Sequence, residues 1–136
     1  MRLRTLAASI GIAAALALTA ATAWRVSARD RAARTAHPPV GQLVGPAGAR
    51  VHLKVQGKGP DLVLIHGASG NLRDFTFGLM DRLAQNYRVI AMDRPGLGHS
   101  DPLPDDNPSI AAQAERLRAA AGEIGVRNPI VLGQSY

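Results

Sequence analysis

The chain has 136 residues, which suffice for one domain, and 46% of them are apolar but only 4% aromatic, so its core must be mostly aliphatic. It contains no cysteine, which excludes disulfide bonds, thiolate metal sites and a cysteine nucleophile. The net charge of +6 is concentrated in residues 1–37, whose six arginines and one aspartate give +5. The near-neutral remainder has no basic stripe with interleaved aromatics, so we do not predict nucleic-acid binding.

An uncharged run from residue 5 to residue 24 follows two arginines at the N-terminus. Its 20 residues are enough for a helix to cross the hydrocarbon core of a bilayer, so we predict membrane contact through residues 5–24. The basic residues that follow directly are Arg25, Arg29, Arg31 and Arg34. Because such positive charge resists translocation, residues 1–36 are interpreted as a retained hydrophobic anchor, or a signal segment, with a basic linker.

Two other interpretations of this segment stay open. Ala21-Thr22-Ala23 fits the small-residue pattern of a signal-peptide cleavage site, so export after cleavage near Trp24 is the alternative to anchoring. The run is also rich in alanine and only moderately hydrophobic, as an ordinary amphipathic or core helix would be. Trp24 would suit the membrane interface, but the charges on the two sides of the run are too even to predict an orientation.

The folded body is assigned to residues 37–136. Residues 35–48 have the composition of a linker, because three prolines and three glycines prevent regular helix. Residues 51–56 then alternate in polarity, which predicts a half-buried strand with Val51, Leu53 and Val55 facing inward. His52 would face solvent on this strand.

Three further apolar runs, residues 61–67, 87–93 and 128–133, lack alternation. Such runs are typical of strands that are covered on both faces, as in a parallel sheet. Helical patterns lie between the runs, so the order strand, helix, strand, helix, strand predicts two right-handed βαβ units and an α/β fold.

The two predicted helices are defined by their apolar stripes. The first occupies Asp74 to Asn86, with a stripe of Phe75, Leu79, Met80 and Leu83. The second has a stripe of Ile110, Ala114, Leu117, Ala121 and Ile124. Asn107 is its predicted N-cap, Pro108 its first helical residue and Gly125 its C-terminal stop.

Sites in parallel sheets lie at the carboxyl ends of the strands, and here three strand ends carry small and polar residues. They occur in the segments LVLIHGASGN (62–71), VIAMDRPGLGHSD (89–101) and IVLGQSY (130–136). In order and separation these segments resemble three successive signatures of the α/β-hydrolase fold family, of the serine hydrolase or esterase type. The resemblance covers roughly residues 43–136 and implies the N-terminal part of a mostly parallel sheet with flanking helices.

This resemblance implies a set of site residues. Gly133-Gln134-Ser135 matches the start of a nucleophile elbow, which makes Ser135 the candidate nucleophile. The backbone N–H groups of Ala68 and Tyr136 are the candidate donors to an oxyanion, and Gly67 and Gly133 would leave room for the tight turns. The loop that contains Ala68 also fits a plain strand-to-helix connection capped by Asn71, and both interpretations can hold together.

The remaining polar groups are predicted to support the site. His66 would brace the oxyanion loop rather than act as a base, and Asp93 and Arg94 would lie beside the pocket, with Arg94 paired to a carboxylate. Ser100 would hydrogen-bond its own loop. A phosphate-binding interpretation of Gly96-Leu97-Gly98 is weak, because a third glycine and a helix start are missing. The other histidines are predicted at linker, strand-surface and loop positions: His37, His52 and His99.

In the family the triad acid and histidine follow the nucleophile in the chain, so Asp93 does not fit the acid, and here only Tyr136 follows Ser135. We therefore expect the sequence to be part of a longer hydrolase, cut inside its elbow, and without triad-level activity on its own. The strand before Ser135 would then lack a neighbour and expose unpaired backbone groups.

The resulting hypothesis is a serine hydrolase that forms an acyl-enzyme on a small-molecule carboxylic ester, with no cofactor and no metal. A serine in place of an aspartate argues against dehalogenase and epoxide-hydrolase chemistry. The rival hypothesis is a non-catalytic, ligand-binding or membrane-tethered protein built on the same sheet, and a third is an inert product of a damaged gene. Function has to be argued from the site, because the fold alone does not determine it.

Overall fold

A computed structural model describes residues 2–104 and 109–135, with side chains described from residue 10 onward. The chain divides into two compact units, Met1–Pro38 and Pro39–Tyr136. The first unit is a helix, and the second contains a sheet with helices on its two faces.

Helix α1 (Arg2–Ala36) is 35 residues long. The stretch Ile10–Ala36 is long and apolar enough to be a membrane span or a signal sequence, and its side chains lie outside any core, as the 68% exposure of Trp24 shows. The basic residues 25–34, which composition assigned to a linker, are part of the same helix. Alanine and arginine, which are among the best helix formers, predominate there.

The second unit is built on a five-stranded sheet. Its strands are β1 (Gln42–Val44), β2 (Val51–Gln56), β3 (Asp61–Ile65), β4 (Arg88–Met92) and β5 (Ile130–Gly133). They are ordered β1-β2-β4-β3-β5; β3, β4 and β5 run parallel, whereas β2 pairs antiparallel with β1 and β4. The predicted pair of βαβ units and the α/β class are therefore confirmed.

The central strands divide their apolar residues between two cores. Successive side chains of a strand point to opposite faces, so Val63 of β3 packs with α3 (Ile110–Glu123) on one face and Leu62 and Leu64 pack on the other. The second face is covered by a 3₁₀ helix (Leu72–Phe75) and α2 (Leu79–Leu83). This double covering explains the unbroken apolar run of β3.

The helices differ from their predicted bounds. The helix expected from Asp74 to Asn86 is broken in two at Gly78, whose φ of 94° is a left-handed conformation that glycine adopts at little cost. As a result, Leu79 at the start of α2 is 41% exposed and is not part of the expected stripe. Helix α3 is capped by Ser109, whose side chain accepts from the N–H of Ala112; the predicted cap and first residue, Asn107 and Pro108, lie outside the described residues.

Two strands also differ from expectation. The alternation predicted for β2 is wrong, since His52 is buried and Val55 is 38% exposed. Strand β5 was expected to be covered on both faces, but Ile130 and Val131 are 53% and 58% exposed. Within the described structure β5 pairs with β3 alone. Strand β1 was not predicted, since three residues between glycines are too short to show a periodicity.

Candidate active site

The carboxyl ends of β3, β4 and β5 meet at one edge of the sheet. Ile65 at the end of β3 pairs with Met92 of β4 on one side and with Gly133 of β5 on the other. The ladder extends one step beyond β5, because the N–H of Gln134 donates to the carbonyl oxygen of Ile65 at 3.0 Å. The polar residues that follow these three strands, which the sequence analysis identified, therefore start at adjacent positions.

Ser135 follows β5 in an uncommon backbone conformation. Its φ is 56°, in the left-handed region that non-glycine residues seldom occupy. Such a residue costs on the order of 1–3 kcal/mol and marks sites where the surrounding structure holds the strain. The side chain is exposed at the strand end, the position expected of a nucleophile at a sharp turn.

A pocket of about 220 Å³ lies beside Ser135. Side chains from α3 form one wall, and the ends of β3, β4 and β5 form the other. The lining residues are Ile65, His66, Arg94, Ile110, Gln113, Ala114, Leu117, Gly133, Gln134 and Ser135. Half of these residues are polar, but most of the lining surface is apolar, which is the usual character of a small-molecule site.

The ring of His66 joins two of the strand ends. Its Nδ1 lies 2.8 Å from the carbonyl oxygen of Gly67, and the backbone N–H of Arg94 donates to Nε2 at 3.0 Å. Because Nε2 accepts a hydrogen bond, the ring proton belongs on Nδ1, where it donates to Gly67. Both nitrogens are engaged in holding the loop, so this geometry leaves His66 no nitrogen for a base.

The loop after His66 places Ala68 in an exposed position. Ser69 beside it has a φ of 59°, and Asn71 caps the 3₁₀ helix by accepting from the N–H of Arg73 at 2.9 Å. The cap predicted as an alternative is therefore present. Tyr136, the second predicted oxyanion donor, lies outside the described residues.

Asp93 is a buried carboxylate that ties several segments together. Oδ1 accepts from the backbone N–H of Leu72 at 2.7 Å, and Oδ2 accepts from His52 Nδ1 at 2.7 Å and from the backbone N–H of His99 at 2.9 Å. Burial alone would raise the pKa of Asp93, but the hydrogen bonds from His52, His99 and Leu72 outweigh it and lower the pKa. Asp93 is therefore ionised at neutral pH, and it fixes the start of the 3₁₀ helix through the N–H of Leu72.

The assignment of His52 to the strand surface was wrong. Its ring is 1% exposed, with Nδ1 on Asp93 and Nε2 accepting from the N–H of Gly41 at 3.2 Å. Ser100 bonds its own loop, as predicted, by donating to the carbonyl oxygen of Asp93, and it also accepts from the N–H of His52. The polar partners explain why a histidine can occupy a buried strand position.

Two arginines have partners that the sequence did not identify. The guanidinium of Arg94, expected to pair with a carboxylate, donates to the side-chain oxygen of Gln113 at 3.0 and 3.2 Å. Arg50 binds Asp101 through two nitrogens at 3.0 and 3.2 Å. Hydrogen bonding and charge from Arg50 lower the pKa of Asp101 to about 2. Asp101 is thus held by Arg50, the residue before β2.

No metal site emerges within the described ranges, where histidines and carboxylates do not gather in groups of three or more that could hold an ion. The polar groups of the site are instead distributed around the pocket and its supporting network.

Comparison with known proteins decides the family. The profile of the alpha/beta hydrolase fold matches residues 60–136, more than half of the chain. The chain belongs to the α/β-hydrolase fold family. The match begins just before β3 and includes all three strand ends of the site, so the second unit contains the N-terminal part of that fold.

Curated relatives match different lengths of the chain. An uncharacterized protein of Mycobacterium tuberculosis is 33% identical over 105 residues, which is 77% of this chain and 30% of the relative. A pimeloyl-[acyl-carrier protein] methyl ester esterase of a Shewanella species is 42% identical over 57 residues, 42% of this chain and 21% of the esterase. The chain thus spans about a third or less of the length of these relatives.

Solved α/β hydrolases share the fold. An epoxide hydrolase from an endophytic Streptomyces superposes with a TM-score of 0.63 and 30% identity over 71% of this chain and 29% of its own. A membrane phospholipase A, described as a bacterial virulence factor, has a TM-score of 0.64 and 26% identity over 93% of this chain and 43% of its own. The family is therefore established, whereas its members catalyse different hydrolytic reactions.

Proposed function

We propose that the protein is a serine hydrolase in which Ser135 attacks a carboxylic ester and forms an acyl-enzyme. The observation that carries this proposal is the left-handed φ of 56° at Ser135, two residues after the end of β5 and beside the pocket. A nucleophile elbow requires such a turn, because it raises the hydroxyl out of the sheet. The methyl ester esterase among the relatives supports the choice of an ester.

In the proposed reaction the Oγ of Ser135 bonds to the carbonyl carbon of the ester and its proton passes to a general base. The carbonyl oxygen becomes an oxyanion, and the bond to the alcohol then breaks as that alcohol takes the proton. Water attacks the resulting acyl-serine, releases the carboxylic acid and restores the hydroxyl. In the family's order, the histidine that serves as base and the acid that orients it come later in the chain than the nucleophile.

The proposed oxyanion donors are the backbone N–H groups of Ala68 and Tyr136. Two hydrogen bonds that hold the loop around Ala68 support this assignment. The ring of His66 donates to the carbonyl oxygen of Gly67, and the carboxylate of Asp93 accepts from the N–H of Leu72. Donors that are fixed before the reaction stabilise the transition state without reorganising, and loss of one typically costs about a hundredfold or more in rate. Arg94 and Gly133 complete the lining beside the serine.

Epoxide hydrolase chemistry is the competing assignment, since three of the similar structures are described as epoxide hydrolases. A serine at position 135 favours the ester. Its attack on an ester gives an acyl-serine, and base-assisted attack of water on this intermediate completes the hydrolysis. No cofactor and no metal enter this scheme, and the expected substrate is a small molecule.

We also propose that residues 1–36 anchor the protein to a membrane, with the folded body in residues 37–136. Helix α1 supports this proposal through the length and apolarity of its span. A membrane phospholipase A is similar over 93% of this chain, which agrees with a hydrolase at a lipid surface. Export after cleavage near Trp24 remains the alternative, and the N-terminus of the mature protein distinguishes the two.

The catalytic proposal is tested with a fluorophosphonate probe on the protein purified from its source. We expect a covalent adduct that mass spectrometry maps to Ser135 and not to Ser69, the other serine with a left-handed backbone. Ser135→Ala should abolish labelling and lower turnover of a short-chain aryl ester by a factor of about a thousand or more. Ser27→Ala, which removes an exposed serine of α1, should label normally. An unlabelled native protein, or labelling that persists in Ser135→Ala, would refute the proposal.

A further inference from the structure

Helix α1 joins an apolar segment to a basic one without a break. The uncharged residues 5–24 correspond to about 30 Å of helix, the thickness of a hydrocarbon core. The segment that carries the arginines, residues 25–34, adds roughly 14 Å along the same axis. If the apolar part spans the core, the basic part lies where the headgroup layer and the adjoining water begin.

The arginines of this segment are arranged around the helix rather than along one face. At about 3.6 residues per turn, Arg25 and Arg29 lie on one side, and Arg31 and Arg34 lie on the opposite side. All four side chains are exposed in the structure. A helix that lies flat on a membrane would gather its charges on one face, whereas charges on several sides suit a helix that stands upright among headgroups.

We infer that this ring, Arg25, Arg29, Arg31 and Arg34, binds the headgroups of anionic phospholipids and gathers those lipids around α1. The inference rests on the proposed membrane anchor and names its lipid partner. The segment 25–34 contains one acidic residue, Asp30, against the four arginines. Its charge is therefore strongly complementary to an anionic bilayer surface.

Arginine is well suited to this partner. Its planar guanidinium donates two parallel hydrogen bonds to a phosphate and keeps its charge at any physiological pH. The arginines closest to the apolar run, Arg25 and Arg29, would reach phosphates directly, because long cationic side chains extend toward the interface. Arg31 and Arg34 lie farther out but within about a Debye length or two of the surface, where they still attract anionic lipids.

The chain carries its own probe for this inference. Trp24 is the only tryptophan in the sequence and directly precedes Arg25. Bromine atoms on lipid chains quench the fluorescence of tryptophan at short range. Quenching in vesicles that contain brominated phosphatidylcholine therefore reports insertion, and quenching by brominated phosphatidylglycerol at the same mole fraction reports whether anionic lipid is enriched around the helix.

We expect the full chain to show quenching by the brominated anionic lipid that exceeds quenching by the zwitterionic one by about twofold or more at low salt. The excess should vanish near 1 M salt, where the screening length is about 3 Å. A variant with all four arginines of the ring changed to glutamine should keep its insertion but lose the excess.

A matched variant removes the same charge from the body through Lys54→Gln, Lys58→Gln, Arg82→Gln and Arg127→Gln, and it should keep the excess. Equal quenching by the two lipids in the unaltered chain would overturn the inference while leaving the anchor intact. If neither brominated lipid quenches the fluorescence of Trp24, the anchor itself is refuted and the inference with it. An excess that survives loss of the four arginines would overturn the inference too, because other groups would then attract the lipid.

Discussion

Substitution of Gly98 by alanine tests the supporting network of the site. Gly98 has a φ of 54°, and a Cβ placed on it would lie 2.6 Å from Oδ1 of Asp93 and closer still to Oδ2. These oxygens are held by His52, Leu72 and His99, so the carboxylate cannot move aside without losing hydrogen bonds. The methyl group therefore forces a break in the network.

The expected loss follows from two contributions. A left-handed alanine costs about 1–2 kcal/mol relative to glycine. A hydrogen bond to a buried charged group is worth roughly 1.5–3 kcal/mol, so loss of one bond to Asp93 brings the total to roughly 2.5–5 kcal/mol. This is a large share of the stability of an ordinary domain, which is about 5–15 kcal/mol.

Gly96→Ala is the matched control for this measurement. Gly96 has a φ of 78°, but a Cβ there would meet only Pro102, at 3.8 Å, which is ordinary contact. We expect this variant to lose the backbone contribution alone, about 1–2 kcal/mol, in urea unfolding monitored by circular dichroism. Equal losses in the two variants would refute the view that Asp93 is fixed by its partners.

Two further predictions concern the same part of the molecule. His52→Phe should lower the free energy of unfolding by roughly 2–4 kcal/mol, because Asp93 loses a buried donor and the N–H of Gly41 loses its acceptor; a loss below about 0.5 kcal/mol in urea unfolding would contradict this. Asp101→Asn should lower the melting temperature at neutral pH, and the difference should close as the pH falls from 3.8, the ordinary pKa, to about 2, its value beside Arg50. The sign follows because a depressed pKa stabilises the fold only where the carboxylate is ionised, so a difference that persists unchanged below pH 2 would argue against the ion pair.

Much of the fold could be predicted because its signals are local. The unbroken apolar runs at residues 61–67 and 87–93 located β3 and β4, and the three- and four-residue spacing around Leu117 located α3. Gly125 follows directly after the C-cap residue Ile124, as predicted. These features depend on residues that are close in sequence, so the pattern is sufficient evidence.

The errors arose where distant residues decide the outcome. The burial of His52 depends on Asp93, 41 residues away, which accepts a hydrogen bond from its Nδ1, and no local pattern contains that information. The break at Gly78 did have a local signal, because a glycine inside an apolar stripe weakens a helix. For the candidate site, the strand ends could be located from the sequence, whereas the hydrogen bonds between Arg94 and Gln113 depended on how α3 packs beside β4.

The hydrogen bonds of Asp93 also bear on how the body folds. Its partners lie 41, 21 and 6 residues away in the chain. The carboxylate therefore has all three of these hydrogen bonds only once β2, β4 and the loops on both sides have assembled. A partly folded chain that buried Asp93 early would carry a charge without compensation, which is strongly unfavourable. The buried carboxylate therefore penalises incomplete intermediates and makes the assembly of these segments cooperative.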